Sequence, residues 1–244
     1  MIIAYAKSDI GKAREMNQDA YYISEPSSPI KLYLLADGMG GYKGGEIASN
    51  LAIKCAKSYI ENNFKDVAKD RDSLIQLVAS SMEYANMVVY EKSKEDKELE
   101  GMGTTLEVCL IYNNKAYIGH VGDSRIYRIR KDFIRKLTQD HSYVQKLVKD
   151  GTITKEEAEN HPKKNMLMKA LGCNAFVEPD VSVKGFLRDD ILIICSDGLS
   201  NLVPQEEMFE HAKKNIEQAP KELVEIANNN GGYDNITAIV IKNI

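Results

Sequence analysis

Residues 104–137 read TTLEVCLIYNNKAYIGHVGDSRIYRIRKDFIRKL, and this stretch gives the strongest indication of the fold class. It contains four strand-like segments that follow one another with only short polar turns between them. Asn113 with Asn114, and Lys131 with Asp132, have the composition of two-residue hairpin turns. Consecutive strands with such short turns run antiparallel, because a parallel pair needs a long crossover. The stretch therefore predicts antiparallel sheets and argues against a doubly wound parallel sheet.

The rest of the chain adds helices and further strands around this meander. Four-residue spacing of apolar side chains predicts a helix over about residues 45–63. A second helix with one apolar face is predicted near residues 72–92. The apolar stripe of the first helix consists of Ile47, Leu51, Cys55 and Tyr59. Further strands are predicted at residues 2–7, 20–24, 31–36, 181–186, 190–195 and 235–242.

A polar stretch from Gln139 to Gly172 interrupts the strand pattern. It contains a capping box, formed by Thr154 and Glu157, that starts a short helix. The sequence has no internal repeat and no linker. We therefore expect a single domain over residues 1–244, with an insertion at about 141–172.

Composition excludes several classes of protein. The 244 residues are 43% hydrophobic and carry a net charge of −4, which gives enough apolar material for a core and no polyanion-binding signature. No apolar run approaches the ~18 residues of a membrane span, and the first residues lack the basic and apolar regions of a leader. We expect a cytoplasmic monomer with no nucleic acid or membrane as partner.

Five aspartates at predicted turns are the most informative candidates for function. Three of them, Asp37, Asp123 and Asp197, each follow an apolar, strand-like run, and the other two are Asp19 and Asp234. Carboxylates at strand ends can converge at one rim of a sheet, where only a cation makes their mutual repulsion tolerable. Ligand sets made only of oxygen suit Mg²⁺ or Mn²⁺ rather than zinc.

Competing motifs fail on spacing. A dinucleotide fingerprint starting at Gly38 would need glycine where Lys43 stands, and a P-loop starting at Gly40 would need lysine where Glu46 stands. No cysteine has an arginine six residues later, so the signature of cysteine-nucleophile phosphatases is missing. Asp70 is better explained as a helix cap than as a phosphoryl acceptor. Asp-Gly is also a common turn dipeptide, so Asp37 with Gly38 alone would indicate no function.

Taken together, the motifs make the chain resemble the metal-dependent protein serine/threonine phosphatases of the protein phosphatase 2C family, bacterial branch. The matching segments span nearly the whole chain: residues 14–19, 37–41, 103–105, 122–125, 137–141, 161–162 and 234–237. The resemblance implies an α+β fold, a four-layer α-β-β-α sandwich. Its two central antiparallel sheets are flanked by helices, with the metal centre at one end between the sheets.

The resemblance also assigns roles to individual residues. Two Mn²⁺ or Mg²⁺ ions would occupy the core site, with a third, weaker ion beside them. Asp37 would bridge the two core ions and Gly38 would offer its backbone carbonyl to one of them. Asp197 and Asp234 would be ligands of the other core ion, and Asp19 would act through metal-bound water. Asp123 with Asp197 would hold the third ion. Arg14 would bind the substrate phosphate.

The implied activity is hydrolysis of phosphoserine and phosphothreonine in proteins by direct attack of a metal-bridging hydroxide, opposing a bacterial serine/threonine kinase. The partners would be phosphoproteins, including such a kinase and its substrates. A non-catalytic regulatory module is the alternative from a different class, and retention of the aspartates and of Arg14 argues against it. A phosphatase specialised for one partner is a third possibility.

Two positions depart from the family pattern. Met39 stands where many eukaryotic members have a histidine thought to protonate the leaving group, so that role is unassigned, with metal-bound water as first candidate. Gln18 stands where glutamate is common, which weakens one water-mediated anchor. The insertion at about 141–172 would be the flap beside the active site, expected to contact the peptide around the phosphoresidue.

The four histidines are expected to be mainly structural. His120 follows an apolar run and is interpreted as a hydrogen-bonded strand residue rather than a ligand. His211 is expected to be inert on a polar helix face. His141 and His161 flank the flap and match family motifs, so a part in substrate access stays open for both.

Overall fold

Eleven strands and seven α-helices form the part of the chain that the computed structural model describes, residues 1–95 and 97–244. The strands are β1 (Ile2–Asp9), β2 (Asp19–Ile23), β3 (Lys31–Met39), β4 (Gly103–Thr104), β5 (Leu106–Tyr112), β6 (Lys115–Val121), β7 (Arg125–Arg130), β8 (Phe133–Lys136), β9 (Asp180–Gly185), β10 (Ile191–Cys195) and β11 (Ile236–Asn243). The helices are α1 (Gly41–Asn63), α2 (Arg71–Glu95), α3 (Tyr143–Lys149), α4 (Lys155–Glu159), α5 (Asp197–Ser200), α6 (Gln205–Lys214) and α7 (Ala219–Asn229).

The strands form two sheets in which every pairing is antiparallel. The first sheet has the order β1-β11-β10-β7-β8, and the second has the order β2-β3-β5-β6-β9, with β4 added beside the end of β3. The predicted hairpins are confirmed, since β5 pairs with β6 and β7 pairs with β8. Asn113 and Asn114 have φ values of 48° and 57°, the left-handed conformation that a tight hairpin turn needs at both positions.

Three apolar layers hold the sheets and helices together. Between the sheets, side chains such as Leu35 and Ile118 of the second sheet share one buried cluster with Ile194 and Ile239 of the first. Helices α1 and α2 cover the outer face of the second sheet, and α5, α6 and α7 cover the outer face of the first. The predicted α+β fold, a four-layer α-β-β-α sandwich, is therefore confirmed.

The predicted first helix is confirmed as α1, and its predicted apolar stripe packs against the core beside the most deeply buried line of the helix. Ile47, Leu51, Cys55 and Tyr59 are only half-buried. The fully buried line lies one residue further along and consists of Ala48, Ala52, Ala56 and Ile60. Three of these four positions are alanine, whose small side chain lets α1 lie close to β3 and α2, both of which it contacts. Hydrophobicity alone favours the larger residues, whereas close packing of a helix against a sheet selects the smaller ones.

The expectation of a turn at every aspartate is wrong for two of the five. Asp19 is the first residue of β2, and Asp37 lies inside β3, directly opposite Asp19 in the register. Strand β3 continues to Met39 because Gly38 and Met39 pair with β4. The segment that reads as a turn in the sequence is therefore extended, and α1 begins directly after it.

Residues 141–172, the expected insertion, contain α3 and α4 and are joined to the body of the protein at both ends. The amide of His141 donates to the carbonyl of Gly122 at one end, and an isolated bridge joins Thr104 to Leu171 at the other. A further bridge, between Ser142 and Leu167, connects the two ends of the segment to each other. The predicted capping box of α4 is present, with both reciprocal bonds between Thr154 and Glu157. No helix within residues 1–95 and 97–244 is long and apolar enough to cross a membrane.

Candidate metal centre

The five candidate aspartates come from both sheets and meet at one end of the sandwich. Asp19 and Asp37 lie side by side on β2 and β3, and Asp123 follows β6 of the same sheet. Asp197 begins α5 directly after β10, and Asp234 precedes β11 of the other sheet. The other four carboxylates are all close enough to act on the pKa of Asp37, so Asp37 lies in the middle of the group.

The cluster is electrostatically unfavourable without a cation. Asp19 is buried, whereas the other four are half-buried and open to solvent on one side. Loss of hydration raises the pKa of Asp37 well above its usual range, and the surrounding carboxylates raise it further. Burial likewise raises the pKa of Asp19 and of Asp123 to about 7, and raises the pKa of Asp197. The site therefore favours binding positive charge, either protons or metal ions.

Two hydroxyl groups position Asp19. Ser196 and Thr237 donate hydrogen bonds of 2.8 and 2.7 Å to its Oδ2. Its Oδ1 is buried and has no hydrogen-bond partner. An orphaned buried carboxylate oxygen is costly unless a cation or an ordered water satisfies it. Sequence reasoning missed both hydroxyls as site residues, although each lies within three residues of a candidate aspartate.

Backbone contacts fix the position of Asp37. Its amide donates to Thr105 Oγ1 at 2.9 Å, and its carbonyl accepts from Thr104 Oγ1 and from the amide of Thr105, also at 2.9 Å. The next residue, Gly38, has no room for a side chain: a Cβ there would overlap the carbonyl oxygen of Gly45 and lie 2.7 Å from that of Gln18. Glycine is therefore a steric requirement beside Asp37, which the turn-like reading of the motif did not reveal.

Arg14 lies at the mouth of the cluster. One guanidinium nitrogen donates to Asp234 Oδ2 at 2.8 Å, and the side chain remains 51% exposed. The loop that carries Arg14 is held by the amide group of Asn235, which donates to the carbonyls of Ile10 and Met16 and accepts from the amide of Gln18. The exposed part of the fork is thus available to a phosphate, which guanidinium binds in bidentate fashion.

Asp123 and Asp197 open into a cavity of about 620 Å³ between the flap and the first sheet. The floor of the cavity includes Arg125, which pairs with Asp140 at 2.8 Å. The flap contributes two lysines, Lys155 and Lys164, to the rim. A large groove of mixed polarity therefore leads from the flap to the aspartate cluster.

The histidines make structural contacts. His120 is buried and bonds Glu107 and the carbonyl of Gln139, as expected for a satisfied strand residue. His211 also makes a structural contact, since its Nδ1 lies 2.5 Å from Glu222 Oε2 and joins α6 to α7. The pairing was missed because Glu222 lies on a different helix.

Met39 and Gln18 behave as their chemistry predicts. Met39 has no group that could protonate a leaving oxygen, and its Cε lies beside Gly103. Gln18 donates from Nε2 to the carbonyl of Gly41 at 3.1 Å, so its side chain serves the backbone at the start of α1.

The residues present fit divalent cations. The donors are carboxylate and carbonyl oxygens, the orphaned Asp19 Oδ1 lacks a partner, and the crowded carboxylates need compensating charge. Among the described residues, no three His, Cys, Asp or Glu side chains are arranged as a complete ligand set for one ion. Ions held here would each take few carboxylates and complete their coordination with carbonyl and water oxygens, the usual situation for Mg²⁺.

Comparison with known proteins agrees with this geometry. Residues 11–235 match the family described as protein phosphatase 2C. The "Serine/threonine phosphatase stp" of Listeria innocua is 36% identical over 97% of this chain and 94% of its own length. The structure of the S. agalactiae serine/threonine phosphatase superposes with a TM-score of 0.92 at 33% identity, covering 100% of both chains. The catalytic domain of PstP, solved in complex with two manganese ions, gives a TM-score of 0.86 at 33% identity, covering 99% of this chain and 97% of that one.

Proposed function

The chain belongs to the protein phosphatase 2C family and is a protein serine/threonine phosphatase, and we propose that the aspartate cluster at the end of the two sheets is its active site. The observation that carries this proposal is the convergence of five carboxylates from both sheets around Asp37. The orphaned Oδ1 of Asp19 supports it independently. A cluster of this kind has no structural benefit, because like charges held together destabilise the fold unless cations neutralise them.

In the proposed arrangement, Asp37 and the Gly38 carbonyl hold two core ions together with Asp197 and Asp234. Asp19 would act through coordinated water, and Asp123 with Asp197 would hold a third, weaker ion. The two manganese ions in the related PstP structure support Mn²⁺ as a ligand here, and Mg²⁺ has the same preference for oxygen. When bound, such ions supply Lewis acidity toward the phosphoryl oxygens and lower the pKa of water.

The chain's own residues have distinct tasks in this reaction. Arg14 orients the phosphoryl group through the exposed part of its guanidinium, while Asp234 fixes the other end of the fork. Ser196 and Thr237 hold Asp19 in one orientation. None of these side chains is assigned the role of nucleophile in the proposal, so the nucleophile is water.

Cys109, Cys195 and Asp70 are poor candidates for a residue that forms a phosphoenzyme. Cys109 and Cys195 are buried, and burial raises the pKa of both thiols, which disfavours the reactive thiolate. Asp70 accepts hydrogen bonds from the amides of Asp72 and Ser73 and so caps α2, as expected. These contacts support direct hydrolysis.

We further propose that residues 1–244 are one domain in which the flap at 141–172 selects the substrate. The cavity beneath the flap leads to Asp123 and Asp197, so a peptide carrying the phosphoresidue would pass between flap and sheet. The substrates would be phosphoproteins, including a serine/threonine kinase and the proteins it modifies.

The proposal is tested by metal removal. Activity on a small aryl phosphate should vanish in excess chelator and return when Mn²⁺ or Mg²⁺ is restored, because the proposed ligands are all oxygens. A folded protein that keeps full activity in chelator would refute the assignment. Circular dichroism of the same samples shows whether chelation has unfolded the chain.

A further inference from the structure

Glu107 and His120 form a buried pair that the proposed chemistry does not use. They face each other across β5 and β6, and both are almost completely shielded from solvent. Glu107 Oε1 and His120 Nδ1 share a hydrogen bond. Glu107 also lies opposite Leu35 in the register with β3, two residues before Asp37. The pair therefore lies in the layer between the sheets, directly behind the aspartate cluster.

Both ring nitrogens of His120 are engaged, and each contact requires a proton. Nε2 lies 2.9 Å from the carbonyl oxygen of Gln139, which can only accept, so Nε2 carries hydrogen. The bond between Nδ1 and Glu107 holds one further proton on one side or the other. The imidazole is thereby locked in one orientation, with Glu107 on one side and the backbone that enters the flap on the other.

A second histidine extends the connection to the turn that carries Asp123. The rings of His120 and His141 lie 4.5 Å apart between centroids. The amide of Gly122 donates to His141 Nδ1 at 3.2 Å, and the amide of His141 donates to the carbonyl of Gly122 at 2.7 Å. This reciprocal pair of bonds ties the first residue of the flap to the residue before Asp123.

Neighbouring contacts leave the turn that carries Asp123 little room to move independently of His141. Gly122 has a φ of +117° and no room for a side chain, because a Cβ would lie 2.6 Å from the Cβ of Thr105. The carbonyl of His141 also accepts from the amide of Met168, which joins the two ends of the flap. Displacing residues 139–141 would therefore move the flap and the Asp123 turn together.

We propose that Glu107 and His120 are positioning residues for the phosphatase reaction, holding the base of the flap and the Asp123 turn in register with the aspartate cluster. The inference rests on the proposed function, since it concerns where Asp123 lies relative to the other carboxylates. Neither residue touches the substrate. Their effect is transmitted through the Gln139 carbonyl and through His141.

The test replaces the pair without leaving a buried charge. Glu107→Leu/His120→Leu keeps the interior apolar and removes both bonds, a change that buried ion pairs often tolerate without loss of stability. Glu107→Gln is the conservative variant, because its amide can still donate to His120 Nδ1 while Nε2 keeps its bond to Gln139. The matched control is His211→Leu/Glu222→Leu, which removes a second Glu–His pair, on α6 and α7.

Two readouts separate positioning from simple packing. Hydrogen exchange of residues 139–143, measured without metal or substrate, should become at least about tenfold faster in the double leucine variant, as expected for a lost local restraint. On a small aryl phosphate, kcat should fall about tenfold or more with KM little changed, because small displacements of reacting groups lower turnover steeply. Glu107→Gln and the control should resemble the wild type in both measurements.

A folded double leucine variant with wild-type exchange and wild-type kcat would overturn the proposal and leave the pair a packing unit. If that variant does not fold, the wild type decides: the His141 amide should exchange as slowly as β6, and exchange as fast as α3 and α4 would overturn the proposal. Hydrogen exchange can be measured whether or not the protein is active. If the wild type hydrolysed no phosphorylated substrate, the proposed function would be refuted, and the exchange measurements would still decide whether the pair holds residues 139–143 in place.

Discussion

Asp37 is held by three backbone-directed bonds while its side chain lies among four other carboxylates. The backbone contacts determine where the carboxylate is, and the neighbouring charges determine what it can bind. Asparagine would keep the shape of the side chain and its ability to form hydrogen bonds. It would remove the charge that is proposed to bridge two cations.

Asp37→Asn should therefore lower kcat on a small aryl phosphate by about a thousandfold. The metal-free variant should be at least as stable as the metal-free wild type, because one member of a repelling cluster becomes neutral. Calorimetry and steady-state kinetics measure the two effects. Asp72→Asn is the control, since that side chain is 89% exposed on α2. Unfolding of the Asp37 variant, or wild-type activity in it, would contradict the assignment.

Arg14 contacts Asp234 through one nitrogen and is half-exposed. If it binds phosphate equally in the ground and transition states, Arg14→Ala should raise KM about tenfold with a smaller loss in kcat. Thermal stability should change little, because exposed ion pairs contribute little. Arg71→Ala serves as the control, since that side chain is 64% exposed and pairs with its neighbour Asp72. A fall in kcat alone would show instead that Arg14 serves to position Asp234.

At the residue scale the sequence predicts the charged groups and misses those that orient them. The aspartates are recognisable because their spacing and flanking apolar runs are local features. The hydroxyl of Thr237 reaches Asp19 across 218 positions of the chain. The partner of Glu107 is likewise defined only by the register of β5 and β6. Such contacts depend on tertiary packing, which spacing along the chain does not encode.

Elements were predictable where one physical signal dominates. The Asn113 and Asn114 hairpin follows from the need for left-handed backbone at both positions, and the apolar face of α2 lies where its periodicity places it. The sequence predicts that β3 ends at residue 36, whereas it continues to Met39 because its last pairing is with the two-residue strand β4. Short strands of this kind have no period, so only the assembled sheet reveals them.

The flap is an element whose role can be separated from the chemistry. Shortening it between Ser142 and Asn160 should reduce turnover of phosphopeptides and phosphoproteins far more than turnover of a small aryl phosphate, because a small substrate has no flanking residues for it to contact. A proportional loss on both substrates would mean that the segment supports the metal site or the fold, and the recognition role would have to be dropped.

A second test of the flap uses point substitutions at the cavity beneath it. Lys155→Ala/Lys164→Ala removes the two flap lysines on its rim and should raise KM for a phosphopeptide about fivefold, with KM for the aryl phosphate unchanged. Lys146→Ala/Lys149→Ala is the matched control, because these lysines are exposed on α3 outside the cavity. Equal effects of the two double variants would show that the phosphopeptide is attracted by the positive charge of the flap as a whole, and not by the two lysines at the cavity.

At the scale of the whole molecule, the sandwich converts distant segments into one site. Each sheet brings carboxylates to the same end, and the inter-sheet layer behind them is apolar up to Glu107 and His120. The sequence predicts this architecture through the antiparallel meander and the family resemblance. The sequence does not reveal how many of the clustered carboxyl groups are protonated when cations are absent, because this depends on how deeply the fold buries each of them.

Burial gives the metal-free protein an unusual dependence on pH. The pKa values of Asp19 and Asp123 are about 7, whereas the same carboxyls titrate near 4 in an unfolded chain. Between about pH 4 and pH 7 the folded protein therefore binds more protons than the unfolded chain, and its stability falls as pH rises through this window. The raised pKa values of Glu107 and His120 act in the same direction, while the lowered pKa of His141 opposes them.

The Tm of the metal-free protein should accordingly rise when the pH is lowered from about 8 to about 6. Saturating Mn²⁺ should weaken or reverse this trend, because cations bind the deprotonated ligands and compete with protons for them. Calorimetry with and without Mn²⁺ measures both slopes, and Asp123→Asn should flatten the metal-free slope by removing one titrating group. A metal-free Tm that rises with pH across this range would show that the carboxylates are ionised in the folded protein without compensation, and the electrostatic account of the site would have to be abandoned.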